Sequence, residues 1–72
     1  MTQEAKIKVL RVLKNYDIES DSLSKLIYVY RYLQGENVEC DQLHKAIESK
    51  RDADYEDAAE YLEDAIEYIE RL

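Results

Sequence analysis

The last eighteen residues, Tyr55 to Leu72, repeat one seven-residue phrase two and a half times: YEDAAEY, LEDAIEY, IERL. Its first position is Tyr55, Leu62 and Ile69; its fourth is Ala58, Ala65 and Leu72; its fifth is Ala59 and Ile66; its seventh is Tyr61 and Tyr68. At roughly 100° per residue, all of these side chains fall on one half of a helical cylinder. Glu56, Asp57, Glu60, Glu63, Asp64, Glu67 and Glu70 fall on the other half, with only Arg71 among them. The segment is therefore an amphipathic helix with one apolar face and one acidic face. Two and a half heptads are too few to sustain a coiled coil alone. This helix has to pack on the rest of the chain, on a second copy, or on both.

Composition supports helices elsewhere too. There is no proline and one glycine, and 38% of residues are charged. Seventy-two residues make one domain, near the lower size at which a single core holds a fold. Cys40 is the one cysteine, so no internal disulfide can help. The net charge of −7 argues against phosphate-backbone binding by the protein as a whole and favours a basic partner. The opening stretch, MTQEAKIKVLRVLKN, breaks its apolar residues with charges and reads as neither a signal peptide nor a membrane span. Together with a lone thiol, this points to the cytoplasm. All seven aromatic residues are tyrosines, which suit core rims and interfaces that are dry on one side and wet on the other.

Helix 1 is expected to follow Thr2 as N-cap, with Glu4 well placed for the helix dipole. Ala5, Val9, Val12, Leu13 and Tyr16 share its inner face, widened by Ile7 and Leu10, while Lys6, Lys8, Arg11 and Lys14 lie outside. Residues 1–16 carry +3 and residues 50–72 carry −6, so the two terminal helices are expected to lie side by side. Exposed ion pairs of this kind contribute only ~0.2–1 kcal/mol each, so they set register more than stability.

The stretch DIESDS (17–22) reads as a turn, with Ser20 as N-cap of helix 2. That helix runs through LSKLIYVYRYLQ and stops at Gly35, which can adopt the left-handed conformation that ends helices. Leu23, Leu26, Ile27, Tyr30 and Leu33 form its core stripe; Tyr28, Val29 and Tyr32 extend the apolar surface round the other side. A helix so apolar all round is either central in a bundle or covered by a second copy, which makes Tyr28, Val29 and Tyr32 the candidate homodimer interface. The run IYVYRYL is also β-prone, but no second strand exists for it to pair with.

Val38 and Leu43 fit a hydrophobic staple at the start of helix 3, with Glu39 at the N-cap and Gln42 completing a capping box. Cys40, Leu43, Ala46 and Ile47 point inward, the helix ends near residues 49–51, and Asp52 or Asp54 caps helix 4. Short connections make neighbouring helices roughly antiparallel.

The acidic face is the sharpest chemical feature. Glu56 with Glu60, Glu60 with Asp64, and Glu63 with Glu67 repel at i, i+4 spacing, and Glu67 and Glu70 oppose the helix dipole. A face that costs stability can be retained for a partner, and a ladder of carboxylates can imitate nucleic-acid phosphates. The ordinary alternative is a solvated face that keeps a small protein soluble. Asp52, Asp54, Glu56, Glu60 and Glu63 match five positions of an EF-hand loop, but Asp57 stands where glycine must make the turn. Cys40, His44 and Glu48 line up at i, i+4, i+8, a spacing that can hold zinc or nickel. A buried cysteine at the core edge beside a surface histidine explains them better, so no metal or other cofactor is assigned. Ser20, Ser22 and Ser24 read as cap residues and His44 has no evident partner, so no catalytic site is assigned and an enzyme is not expected.

These observations lead to an all-α bundle of four short helices, expected to be a homodimer. The expected function is that of an acidic protein–protein interaction module. It would regulate or inhibit a basic protein partner through Glu56, Asp57, Glu60, Glu63, Asp64, Glu67 and Glu70, in its sharpest form as a DNA mimic that inhibits a nucleic-acid-binding protein. The competing readings are a helix-turn-helix-like DNA-binding regulator, with Lys45, Lys50 and Arg51 touching phosphates, and a purely structural dimeric module. Direct nucleic-acid binding is disfavoured by charge, and no membrane association is expected.

Overall fold

A computed structural model describes residues 1–72. The chain forms four helices and no strand: α1 (Gln3–Lys14), α2 (Leu23–Gly35), α3 (Asp41–Arg51) and α4 (Tyr55–Glu70). The β-prone run 27–33 lies wholly within α2. No helix is long and apolar enough to cross a membrane.

Three of the four helix starts are capped by a side chain. Thr2 accepts the Ala5 N–H at 3.1 Å, as expected for an N-cap. At α2 the cap is Ser22, not Ser20: its hydroxyl accepts from the Ser24 N–H at 3.2 Å. Ser20 is held back in the preceding turn, where its N–H donates to Asp17 at 3.3 Å. At α3 the N-cap is Cys40 rather than Glu39, and no side chain caps it. Asp54 caps α4, accepting from Asp57 N–H at 3.3 Å.

The ends of α2 and α3 share one device. After α2, the N–H of Val38 reaches back to Leu33 O at 2.9 Å and that of Asn37 to Gln34 O at 3.0 Å. After α3, the N–H of Asp54 reaches Ser49 O at 2.8 Å and that of Ala53 reaches Lys50 O at 3.0 Å. Both are Schellman closures, in which the residue after the C-cap adopts the left-handed conformation. Those residues are Asn37 (φ 60°) and Ala53 (φ 59°). Gly35 is the last residue of α2 and has no positive φ, which corrects the expected role of the chain's one glycine.

Fifteen buried side chains form one cluster shared by all four helices, and none of them is charged. From α4 come Ala58, Leu62, Ala65 and Ile69, the first and fourth positions of the heptad phrase. Ala59, expected on the same face, is exposed. From α2 come Leu26, Val29 and Leu33; from α1, Val9 and Leu13, followed by Tyr16 and Ile18 in the loop beyond. Ile7 and Val12 of α1 remain exposed. The α3–α4 pair is the most extensive, α1 packs on α4, and α2 packs on α3. Although consecutive, α1 and α2 scarcely meet.

The pairing of α1 with α4 is polar as well as apolar. Lys14 Nζ lies 2.8 Å from Glu70 Oε2, and Lys6 Nζ donates to the Glu70 carbonyl at 2.8 Å. The Lys6 bond satisfies a carbonyl at the C-terminal end of α4, and both ammonium groups oppose the negative end of its dipole. They offset the unfavourable placement of Glu67 and Glu70 there.

Candidate functional site: the acidic face of α4

The helix register places Glu56, Asp57, Glu60, Glu63, Asp64, Glu67 and Glu70 all at exposed positions, so the seven carboxylates share the outer surface of α4. Glu70 is set apart by its ion pair with Lys14. The other six have no cationic partner within 4 Å; the remaining ion pairs join Lys25 to Asp21 and His44 to Glu48. From Glu56 to Glu67 these six charges span about 16 Å at 1.5 Å per residue, about one charge per 3 Å. One strand of duplex DNA carries one charge per about 3.4 Å.

Crowding leaves a mark at the start of the row. The Asp57 carboxyl is held above the ordinary carboxylate range, chiefly by its hydrogen bond to the Asp54 side chain and the charge there, with Glu60 and Glu56 adding repulsion. Both Glu56 and Asp57 lie in the first turn of α4, where the helix dipole favours negative charge. That placement offsets part of the repulsion.

The other sequence candidates are placed differently. Helix α4 runs straight from Tyr55 to Glu70, so Asp52, Asp54, Glu56, Glu60 and Glu63 do not curl into a calcium loop. Cys40 is 2% exposed, its thiol pushed up in pKa chiefly by burial, while His44 and Glu48 are on the surface. The three therefore do not gather into a ligand set. His44 does have a partner: its Nδ1 lies 3.0 Å from Glu48 Oε1, and its ring is 5.5 Å from that of Tyr30. Of the three candidate phosphate contacts, Lys50 donates to the carbonyls of Ile18 and Asp21. Lys45 stands over the Tyr61 ring at 5.8 Å, and only Arg51 is unengaged.

Within the expected dimer interface the three residues part company. Tyr28 is 72% exposed and Tyr32 40%, but Val29 is 4% exposed and belongs to the monomer core. The sequence placed Val29 on the outer side because α2 is apolar nearly all round. What turns it inward is the position of the other helices.

The fold and this face define a small all-α domain with a continuous, unpaired acidic helix surface. No family model, no curated protein and no solved structure matches the chain.

Proposed function

We propose that the protein is a small acidic interaction module that binds a basic protein partner along α4 and regulates or inhibits it. The observation that carries this reading is the row of six carboxylates on one exposed helix face, none of them paired within the fold. Its charge spacing, close to that of a single nucleic-acid strand, supports the sharper form: α4 occupies the basic groove of a nucleic-acid-binding protein as a DNA mimic. In this reading the protein is a binding protein and not an enzyme. It works in the cytoplasm, where its single thiol stays reduced.

Two other readings fit the observations less well. A DNA-binding regulator using α2 and α3 would need Lys50 and Lys45 free, and both are already engaged. A homodimer through Tyr28 and Tyr32 would set Lys8, Arg11, Lys25 and Arg31 near their own copies across a twofold axis, which costs electrostatic energy.

The test is a low-salt pull-down from host lysate, with the natural protein beside a folded variant carrying Glu60→Lys, Glu63→Lys, Asp64→Lys and Glu67→Lys. Capture of a basic nucleic-acid-binding protein by the natural bait alone, released by competing duplex DNA, supports the proposal. Equal capture by both baits, or none, returns the face to the solvent. A gel shift of duplex DNA by the protein itself would favour the regulator instead.

A further inference from the structure

Because α1 and α2 scarcely meet, a trough of about 680 Å³ lies open between them. Its apolar lining is accessible beside the buried Val9 and Val29: Val12 is 41% exposed, Tyr32 40% and Tyr28 72%. Its edges are cationic. Lys8, Arg11 and Lys25 border it, and Arg31 flanks Tyr28 and Tyr32 just beyond. Lys8, Arg11 and Arg31 have no carboxylate within ion-pair distance. Asp21 is the one acid at the rim: its Oδ1 lies 3.8 Å from Lys25 Nζ, and its Oδ2 accepts from the Asp17 N–H at 2.8 Å. In a protein of net charge −7, this is a local reversal of sign.

We infer that the trough docks an acidic amphipathic helix supplied by a partner protein. The partner's apolar stripe seats on Val12, Tyr28 and Tyr32, and its flanking carboxylates meet Lys8, Arg11, Lys25 and Arg31. Helix-in-groove recognition needs this arrangement, with an apolar channel for anchors at i, i+3, i+4 and i+7 and charged edges that select orientation and sign. The long stems of Lys and Arg also cover apolar surface while their heads stay wet.

A second copy of the chain fits less well. Its acidic surface is α4, but the apolar stripe of that helix (Ala58, Leu62, Ala65, Ile69) is already buried in its own core. It would bring carboxylates without a ridge to fill the channel. The inference is independent of the proposed role of the α4 face. If both hold, the protein carries two docking surfaces of opposite sign and bridges a basic partner to an acidic one.

The experiment is a titration of the full-length, isotope-labelled protein, followed by backbone amide and tyrosine ring NMR. The probe is a synthetic end-capped peptide of about 18 residues, long enough to form a helix on binding, with Leu and Phe at helical i, i+3, i+4, i+7 spacing and Glu and Ala elsewhere. The control peptide has Lys in place of every Glu. The expected result is saturable shifts centred on Val12, Tyr28 and Tyr32 with the acidic peptide only. A Lys8→Glu, Arg11→Glu, Lys25→Glu variant should bind roughly tenfold more weakly or worse. Tyr28→Ser, at a ring that is mostly solvated, should also weaken binding while leaving the melting curve unchanged. Four results overturn the inference: equal binding of the basic peptide; no shift at millimolar acidic peptide; the same residues shifting with protein concentration alone, which would assign the trough to a second copy; or capture on phosphatidylcholine–phosphatidylserine vesicles without peptide binding, which would assign it to a membrane surface.

Discussion

Lys50 of α3 directs its ammonium group over the ring of Tyr16, with Nζ 4.9 Å from the ring centroid. The same nitrogen donates to the carbonyl of Ile18 at 2.6 Å and to that of Asp21. Tyr16 in turn donates its hydroxyl to the carbonyls of Ser22, at 2.8 Å, and Asp21, at 3.1 Å. One cation and one phenol thus hold the loop between α1 and α2, and with it the buried Ile18, against α3. The loop closes on itself as well: Asp17 N–H donates to Asp21 Oδ2, and Asp21 N–H donates to Asp17 O at 2.9 Å.

Replacing Lys50 by Met keeps the stem and removes the cation, leaving the Ile18 carbonyl without its donor and the Asp21 carbonyl with the Tyr16 hydroxyl alone. The expected loss is about 1–3 kcal/mol of unfolding free energy, since hydrogen bonds to charged groups contribute more than neutral ones. Tyr16→Phe should cost about 0.5–1.5 kcal/mol. Urea denaturation of both variants checks this. A Lys50→Met protein as stable as the parent would mean that the loop is held by its own backbone bonds.

The chain's glycine and one of its alanines stand in each other's natural places. Gly35 is helical, and a Cβ there would meet nothing within 4 Å, whereas Ala53 has φ 59°. Gly35→Ala should therefore stabilise the protein by about 0.5–1 kcal/mol by restricting the unfolded chain. Ala53→Gly should also stabilise it, by up to about 1 kcal/mol, by relieving a left-handed alanine. Thermal melts of the two single variants and of their combination test both gains. The sites lie at the ends of different helices, so the gains should add.

Cys40 occupies an N-cap position without acting as a cap, its Sγ 3.7 Å from Gln42 Oε1. Serine is nearly the same size, and its hydroxyl can accept from the first turn of α3 while donating to Gln42. Cys40→Ser should hold stability or raise it by up to about 1 kcal/mol, and Cys40→Ala should lose the weak sulfur contact without that gain. Because the thiol is buried and its pKa is raised, an aromatic disulfide reagent should label native Cys40 slowly. Labelling should accelerate with urea in step with unfolding. Rapid labelling of the native protein would contradict this placement.

Asp17 and Asp57 should give the pH profile of stability opposite slopes. Backbone N–H bonds from Glu19 and Ser20 hold the Asp17 carboxyl below the ordinary range. The unfolded chain therefore binds that proton more tightly. The contribution of Asp17 is fully present above about pH 4 and is lost as pH falls through its folded value. Asp57 is shifted up by Asp54, so the folded state binds its proton more tightly, and stability falls as pH rises through that shifted range. Asp17→Asn should thus destabilise at neutral pH and make little difference in acid. Asp57→Asn should stabilise at neutral pH and lose that advantage in acid. Denaturation midpoints from about pH 3 to pH 7 read both signs, and a common slope for the two variants would refute the assignment.

The core residues of α3 and α4 offer the plainest contrast with the surface. Leu43→Ala should cost about 2–5 kcal/mol, a large share of what so small a domain holds. Tyr28→Ala should change stability by less than about 0.5 kcal/mol. Equal losses would mean that Tyr28 is covered in solution.

Local chemistry alone settled much of this molecule. The heptad phrase of α4 makes a helix whose carboxylates must share a face, because helical periodicity leaves them no other place. Thr2 and Asp54 cap their helices because their side chains reach the first free N–H groups whatever the rest of the chain does. Opposite charges on α1 and α4 brought Lys14 to Glu70 as their signs predict. Tertiary packing decided what periodicity leaves open. On α2, apolar on nearly every side, only the placement of the other helices determines that Val29 is buried while Tyr28 and Tyr32 stay open. Ile18, one apolar residue in a polar turn, has no period to announce it, and it is drawn into the core by the loop that Lys50 and Tyr16 hold. The trough between α1 and α2 has the same origin. It is a gap between two helices whose stronger partners are elsewhere, and a gap is a property of the packed arrangement rather than of any one helix.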